Sequence, residues 1–170
     1  MKFVTGNKNK FLEAKAVLSS LEQIDIDLPE IQEVDVKKVV LDKVHCAYEQ
    51  VREAVVVEDV SLVIDSWNGF PGALVKWAIK SMGLEKFSSL TNYEPVTIHC
   101  ALAYYDGTIT EVFMSSLKGR IVSSRGSNGF GFDSIVEIDG KTLAERTKEE
   151  KQEISMRAEV FRQLKEFLKN

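Results

Sequence analysis

The sequence has few of the residues that most often carry nucleophilic or metal chemistry. Its 170 residues include only two cysteines and two histidines. Cys46 and Cys100 are far apart and form neither a disulfide framework nor a CxxC pair, which favours a reducing, cytoplasmic location. The histidines specify no Ser-His-acid or Cys-His arrangement. His45-Cys46 and His99-Cys100 also make a poor zinc site, because neighbouring residues of a regular strand cannot point at one ion.

Long apolar runs and an excess of positive charge are also missing. No segment is long enough to span a bilayer, and the N-terminal residues lack the apolar stretch of an export signal. With 22 Lys+Arg against 26 Asp+Glu the net charge is -4, so we expect neither a nucleic acid polymer nor a membrane as partner. An anionic ligand would need a local cluster of cations. The 44% apolar content and the absence of repeats and linkers predict one domain over residues 1–170.

The first third of the chain alternates between strand and helix patterns. Lys2–Val4 is predicted to be a strand, followed by a polar turn and a helix over residues 8–21. A half-buried strand is expected over residues 24–28, where apolar and acidic residues alternate. An apolar stripe predicts a helix over residues 36–51, and residues 54–57 read as a fully buried strand.

The rest of the chain continues the same mixture. Two short helices are predicted over residues 73–82 and 83–90, and Asp106-Gly107 is a strong hairpin signal between two strands. A further strand is expected over residues 134–138. Thr147 begins a capping-box pattern before an amphipathic C-terminal helix. The fold class is therefore α/β. The apolar stripe of the last helix consists of Ile154, Ala158, Phe161, Leu164 and Leu168.

Thr5-Gly6-Asn7 lies between the first predicted strand and helix, with Lys8 and Lys10 close behind. Free backbone N–H groups at a helix start, together with lysines, suit a phosphate chain. The segment matches neither GxGxxG nor GxxxxGK[ST]. A polar turn followed by a solvated helix face explains it equally well.

Three carboxylates follow predicted strands. Glu30 comes after Pro29, and Glu58-Asp59 closes the apolar run of residues 54–57. Strand ends in an open α/β sheet commonly face one crevice, so two of these acids could share a hard cation such as Mg²⁺. Taken separately, solvated surface acids are the more ordinary interpretation, although the apolar run before Glu58 is unusual for one.

Two glycine-rich segments also carry aromatic residues. Residues 68–72 (Asn-Gly-Phe-Pro-Gly) precede Lys76-Trp77, and a structural loop capped by a helix accounts for them. Residues 129–133 (Gly-Phe-Gly-Phe-Asp) could form a platform and a hydrogen-bond acceptor for a heterocyclic base. The alternative for this second segment is a bulged strand with its phenylalanines packed inward.

Taken in order, these motifs resemble the inosine triphosphate pyrophosphatase family over residues 5–157. The resemblance implies an elongated α/β fold with a long central mixed sheet flanked by helices, two lobes with a cleft between them, and a homodimer. The motifs that carry it are Thr5-Gly6-Asn7 with Lys10, Leu28-Pro29-Glu30, Glu58-Asp59, Asn68-Gly69-Phe70-Pro71-Gly72 with Lys76-Trp77, Phe130-Gly131-Phe132-Asp133, and Lys151 with Ser155 and Arg157.

The family's reaction is Mg²⁺-dependent hydrolysis of noncanonical purine nucleoside triphosphates (ITP, dITP, XTP) to the monophosphate and pyrophosphate, which cleanses the nucleotide pool. By position, Asp59 would be the base that activates water, and Glu30 and Asp59 would be the metal-site acids. The substrate-binding residues would be Thr5, Gly6, Asn7, Lys10, Lys43 and Lys76 for the phosphates, and Phe130, Gly131, Phe132, Asp133, Lys151, Ser155 and Arg157 around the base.

The chain departs from the family pattern at three positions. Val60 replaces the usual Thr or Ser after the acidic pair, Met156 replaces the His of Ser-His-Arg, and Ser134 replaces a Pro. Met156 bears on base recognition more than on phosphate chemistry. Two alternatives follow: a nucleotide-binding homologue with altered base specificity or lost catalysis, and a Maf-type pyrophosphatase of modified nucleotides.

Overall fold

The computed structural model describes residues 1–169 and contains a mixed sheet flanked by helices. The strand order is β2-β1-β3-β5-β6-β7-β8, and β4 pairs with β3. β1 is parallel to β2 and to β3, whereas β3–β4, β6–β7 and β7–β8 are antiparallel. The predicted α/β class is confirmed. The strands are β1 Lys2–Val4, β2 Glu22–Ile24, β3 Val55–Ile64, β4 Pro71–Gly72, β5 Pro95–Tyr105, β6 Thr110–Ile121, β7 Val136–Ile138 and β8 Lys141–Thr142.

The helices follow the predicted order, but α1 ends at Val17 and not at residue 21 as predicted. Within residues 1–169, no helix combines the length and the apolar character needed to cross a membrane. Their bounds are α1 Lys8–Val17, α2 Val36–Val51, α3 Val75–Met82, α4 Leu84–Leu90, α5 Lys148–Glu153 and α6 Met156–Phe167.

Helix α2 illustrates why these segments fold as predicted. Asp35 caps its start by accepting a hydrogen bond from the Lys37 amide at 2.9 Å. The helix ends at Val51, and the next residue, the C-cap Arg52, adopts a left-handed conformation with φ +57°. Its apolar stripe packs into the core, as a 3.6-residue period requires. The buried residues of α2 are Val36, Val39, Val40, Val44 and Ala47.

The Asp106-Gly107 hairpin is also confirmed, because β5 and β6 are neighbours in the sheet. Asp106 Oδ1 accepts hydrogen bonds from the amides of Thr108 and Ile109, each at 2.8 Å. Gly107 has φ +99°, and a Cβ at this position would collide with the Tyr48 side chain. The turn therefore needs glycine for both its conformation and its packing.

The capping box at Thr147 is present, but the C-terminal helix is interrupted. Thr147 Oγ1 accepts from the Glu150 amide at 3.2 Å, and Glu150 Oε2 accepts from the Thr147 amide at 2.8 Å. This cap begins α5, which ends at Glu153, and α6 starts at Met156. Ala158, Phe161 and Leu164 of the predicted stripe lie on α6 and are buried, whereas Ile154 lies between the two helices and Leu168 follows α6.

Three strand predictions need correction. β2 covers residues 22–24 instead of 24–28, and β7 begins at Val136 instead of residue 134. β3 extends to Ile64, so Glu58-Asp59 lies inside a strand and not at its end. The sequence predicts that the strand ends at these acids, because polar residues usually end apolar runs. Here the strand continues because buried partners satisfy Glu58, as described below.

The described chain divides into two compact units. Unit 1 contains residues 1–60, 100–115 and those from 156 onward, and unit 2 contains residues 61–99 and 116–155. The core of unit 1 includes Phe3 and Phe161, whose rings meet edge to face at 5.3 Å. Unit 2 packs around residues such as Phe87 and Ile135. That residues 1–170 act as one domain stays a prediction.

The Phe161 side chain is fully buried, whereas Leu168, from the same predicted stripe, is 44% exposed. We expect Phe161→Ala to lower the free energy of unfolding by about 3–5 kcal/mol, because it removes a buried ring and leaves a cavity. Leu168→Ala should change it by less than about 0.5 kcal/mol. Urea unfolding of both variants measures the difference, and equal losses would contradict this account of the core.

Candidate active site

The predicted phosphate turn, Thr5-Gly6-Asn7, connects β1 to α1 in unit 1. Asn7 is the N-cap of α1, and its Oδ1 accepts hydrogen bonds from the amides of Asn9 (3.0 Å) and Lys10 (3.2 Å). These two amides are therefore already bonded, which corrects the expectation of free N–H groups there. Gly6 lies close to Asp25, and a Cβ on it would lie 2.6 Å from Asp25 Oδ1, so the exposed Asp25 side chain would have to move.

Lys10 points from α1 towards the acidic pair of β3. Its Nζ lies 3.3 Å from Glu58 Oε2 and 3.9 Å from Asp59 Oδ1, and it donates to the Glu58 carbonyl at 3.4 Å. The predicted phosphate lysine and the predicted catalytic acid are therefore neighbours.

Lys43, on α2, bridges the two predicted metal-site acids. Its Nζ lies 2.9 Å from Glu30 Oε2 and 3.4 Å from Asp59 Oδ2. Burial tends to lower the pKa of Lys43, but the charge of Asp59 and the hydrogen bond to Glu30 outweigh it and raise that pKa above its usual value. The other oxygen of Asp59, Oδ1, accepts from the Val60 amide at 2.8 Å. Asp59 is thus oriented by its own strand and by two lysines.

The residues present fit a magnesium site. Glu30 and Asp59 both have an oxygen within 3.4 Å of one cationic atom, so two hard carboxylate ligands converge on a single position. Mg²⁺ is commonly bound through one or two carboxylates, with waters and substrate phosphates completing its shell. Among residues 1–169, no group of three or more His, Cys, Asp or Glu side chains could hold a metal ion. A cation at this position would need further oxygens from a ligand.

Glu58 has the opposite environment from its neighbour Asp59. Its side chain is fully buried, whereas that of Asp59 is 19% exposed. The Glu58 carboxylate accepts from Arg157 Nε at 3.1 Å, from Arg157 Nη2 at 3.3 Å and from Cys100 Sγ at 3.1 Å. Arg157 also donates from Nη1 to Glu13. This carboxylate has no contact with water, but it accepts several hydrogen bonds and lies beside the positive charges of Arg157 and Lys10. A buried charge requires such partners.

The electrostatics of this buried group follow from its contacts. Burial alone would raise the pKa of Glu58, but the charges of Arg157 and Lys10 outweigh it and lower the pKa to about 2. Burial opposes the charge on Arg157 as well, yet the Glu58 carboxylate raises the Arg157 pKa above its usual range. Burial and Glu58 both raise the pKa of Cys100, so its thiol stays protonated and donates. Glu58 and Arg157 are therefore an ion pair at any pH well above the lowered pKa of Glu58.

Glu13 and Cys100 contact the buried pair but are absent from the predicted site residues. The only local signal for Glu13 is its position one turn after Lys10 on α1. Cys100 lies in an apolar strand pattern and reads as core. Contacts between positions 58 and 157 span 99 residues, and no periodicity indicates them.

The predicted base-binding residues of unit 2 form a second polar group. Asp133 Oδ2 accepts from the Phe130 amide at 2.9 Å and lies 2.7 Å from Lys151 Nζ. The same ammonium lies 5.6 Å from the centre of the Phe130 ring. Gly129 has φ +98°, and a Cβ there would collide with the Asp133 carboxylate. Residues 129–133 form a bend followed by turns and contain no strand, so the bulged-strand alternative is wrong.

The remaining predicted residues of unit 2 lie on loops and on α3. Gly131 adopts φ +64° next to the half-buried Phe132, and the Ser155 amide donates to the Gln152 carbonyl at 3.4 Å between α5 and α6. Lys76 is exposed on α3, with its Nζ 5.4 Å from the Trp77 ring. Unit 2 contains Lys76, Phe130, Gly131, Phe132, Asp133, Lys151 and Ser155, and unit 1 contains Thr5, Gly6, Asn7, Lys10, Glu30, Lys43, Asp59 and Arg157.

Solved structures share this α/β fold. The Ham1 protein of Staphylococcus aureus superposes with a TM-score of 0.81 at 24% identity, covering 99% of this chain and 98% of that one. A protein of Mycobacterium abscessus described as a nucleoside-triphosphatase and dITP/XTP pyrophosphatase matches at a TM-score of 0.71 and 26% identity, covering 96% and 98%. The first likeness supports the fold alone.

Sequence comparison identifies the family. The model of the Ham1 family matches residues 1–167, and this chain belongs to that family. Relatives named inosine triphosphate pyrophosphatase include one from Kluyveromyces lactis, 40% identical over 184 residues with 99% of this chain and 95% of that protein covered. Another, from Schizosaccharomyces pombe, is 39% identical over 178 residues, covering 99% and 94%. The family resemblance inferred from the sequence motifs is confirmed.

The buried ion pair predicts a specific dependence of stability on pH. Glu58 has an unfolded pKa near 4.5 and a folded pKa of about 2, so the stability that it contributes is complete above pH 4.5 and is lost as the pH falls towards 2. In Glu58→Gln this dependence should be reduced, because glutamine does not titrate. Urea unfolding of both proteins between pH 2 and 5 measures it, with Glu53→Gln, an exposed acid, as control. If the free energy of unfolding changed equally with pH in wild type and in Glu58→Gln, Glu58 would not be the source of this pH dependence.

Proposed function

We propose that this chain hydrolyses noncanonical purine nucleoside triphosphates such as ITP, dITP and XTP to the monophosphate and pyrophosphate. The proposal rests on membership of the Ham1 family and on relatives named inosine triphosphate pyrophosphatase. The observation that carries it is the convergence of Lys10, Lys43, Glu30 and Asp59 within unit 1. Cations and acids at one place suit a polyanionic substrate whose reaction needs charge neutralisation and a base.

The phosphates would be held by the residues predicted for them. The turn of Thr5, Gly6 and Asn7 carries the partial charge of the α1 N-terminus, and Lys10 and Lys43 add full positive charges. Lys76 is proposed as a further cationic partner. Such local cations are needed because the protein carries a net charge of -4, which repels a free triphosphate.

Asp59 is the proposed catalytic base, which accepts a proton from the attacking water. A carboxylate fixed by the Val60 amide on one oxygen can hold a water molecule in a constant orientation and accept its proton. Glu30 and Asp59 would hold the Mg²⁺ ion. When bound, this ion neutralises charge on phosphate oxygens and lowers the pKa of water. The choice of magnesium among divalent ions belongs to the proposal.

Recognition of the base is assigned to the polar group of unit 2 and to Arg157. Phe130 and Phe132 offer ring faces for stacking, with Gly131 between them, and Asp133, Lys151 and Ser155 offer hydrogen-bonding groups. Arg157 is paired with Glu58 and Glu13, so these two acids would hold its guanidinium group in place as it contacts the nucleobase.

The proposal also includes a homodimer and a cytoplasmic location. Two cysteines that are free thiols are compatible with that location.

Met156 makes altered base specificity a second candidate. Its side chain packs against the hydrophobic core of unit 1, which includes Phe161 and Phe3. A thioether held in this way offers no strong hydrogen bond, unlike the histidine usual in the family. The chain could therefore bind purine triphosphates with a different order of preference.

Pyrophosphate release from a panel of triphosphates with Mg²⁺ tests the proposal. We expect ITP and XTP to be hydrolysed faster than ATP and GTP, because the family acts on purines with altered base edges. Faster hydrolysis of common or modified pyrimidine triphosphates would favour the Maf-type alternative. Nucleotide-dependent thermal stabilisation without any hydrolysis would identify a binding protein that has lost catalysis, and would refute the proposed function.

Substitution of Asp59, the proposed catalytic base, gives a sharper test. Asp59→Asn should lower kcat about 10²–10⁴-fold, because the amide cannot accept the proton of water. Glu53→Gln, which removes an exposed acid of unit 1, should retain wild-type kcat. Thermal unfolding of both variants checks the fold. A kcat for Asp59→Asn within a few-fold of wild type would show that another group acts as the base.

A further inference from the structure

Lys43 occupies the position that a cation shared by Glu30 and Asp59 would require. Its Nζ lies 2.9 Å from one carboxylate and 3.4 Å from the other, and its side chain is only 18% exposed. A metal ion that binds both acids needs the same oxygens and the same space. The ammonium group and a divalent cation therefore compete for one site.

Lys43 is the principal counter-charge of these acids. Lys10 lies further from Asp59, at 3.9 Å, and is closer to the fully buried Glu58. Its charge is consequently shared with an acid that has no access to water. Without Lys43, much less positive charge would balance the carboxylates of Glu30 and Asp59, and another cation would bind between them more readily.

We propose that Lys43 excludes free divalent cations from the Glu30–Asp59 pair, so that the metal enters together with a triphosphate. The part played by the triphosphate rests on the proposed function. Its phosphate oxygens would offer the Lys43 ammonium group new partners and would supply the ligands that two carboxylates cannot provide. Metal and nucleotide would then each favour the binding of the other.

The exclusion itself can be measured without any nucleotide. Mn²⁺ is titrated into the protein, and the free ion is quantified by its electron paramagnetic resonance signal. Lys43→Met, which keeps the apolar stem but removes the charge, should bind Mn²⁺ at least about tenfold more tightly than wild type. Lys43→Arg, which retains a cation, should stay close to wild type.

Lys38→Met is the matched control, because Lys38 lies on the same helix and pairs with Glu33 at 3.0 Å on the exposed surface. It removes the same charge, and screening should limit its effect to about twofold. The proposal would be overturned if Lys38→Met and Lys43→Met gained the same affinity for Mn²⁺. It would also be overturned if Lys43→Met bound Mn²⁺ no more tightly than wild type. Lys43→Gln provides a second neutral variant if Lys43→Met does not fold.

A double variant locates the metal. Adding Asp59→Asn to Lys43→Met should abolish the increase in Mn²⁺ affinity. If the double variant still binds Mn²⁺ more tightly than wild type, the ion lies elsewhere and the proposal is rejected.

This result is independent of the result of the hydrolysis assays. Hydrolysis of ITP without a gain in Lys43→Met rejects only the exclusion by Lys43. A gain without hydrolysis of any triphosphate supports the exclusion and rejects the proposed function.

Discussion

The buried charge of Glu58 is the constraint on which unit 1 depends. A carboxylate without contact to water must be compensated, and its partners come from three other elements: Lys10 from α1, Cys100 from β5 and Arg157 from α6. These elements are joined to β3 by polar contacts as well as by the apolar core around Phe161. The polar network thus fixes the strand that carries Asp59.

The same network places a buried ion pair next to an acid that is partly exposed. Glu58 and Arg157 hold each other in their charged forms and are largely removed from solvent. Asp59, one residue away, retains some exposure and faces the lysines of α1 and α2. The rigid pair therefore supports its neighbour, whose carboxylate remains accessible to a ligand.

Much of the fold could be predicted from local patterns. The apolar stripe of α2, the Asp106-Gly107 turn and the Thr147 capping box depend on residues close in sequence, and all three are found. The length of β3 could not be predicted, because its continuation past two acids depends on distant partners. The sequence predicts Lys43 only as a phosphate-binding residue, and its pairing with Glu30 and Asp59 depends on contacts that no local pattern indicates. The order of motifs indicated the family, whereas the buried pairing of Arg157 required the three-dimensional contacts.

The neighbouring positions of Glu58 and Asp59 have a consequence for how β3 tolerates change. Successive side chains of a strand point to opposite faces, so a shift of one residue in either direction would turn both acids to the wrong face. In one direction Asp59 would take the place of Glu58 against Arg157, and Glu58 would take the buried place of Val57, away from these partners. An insertion or deletion before Glu58 would therefore disturb stability and chemistry together.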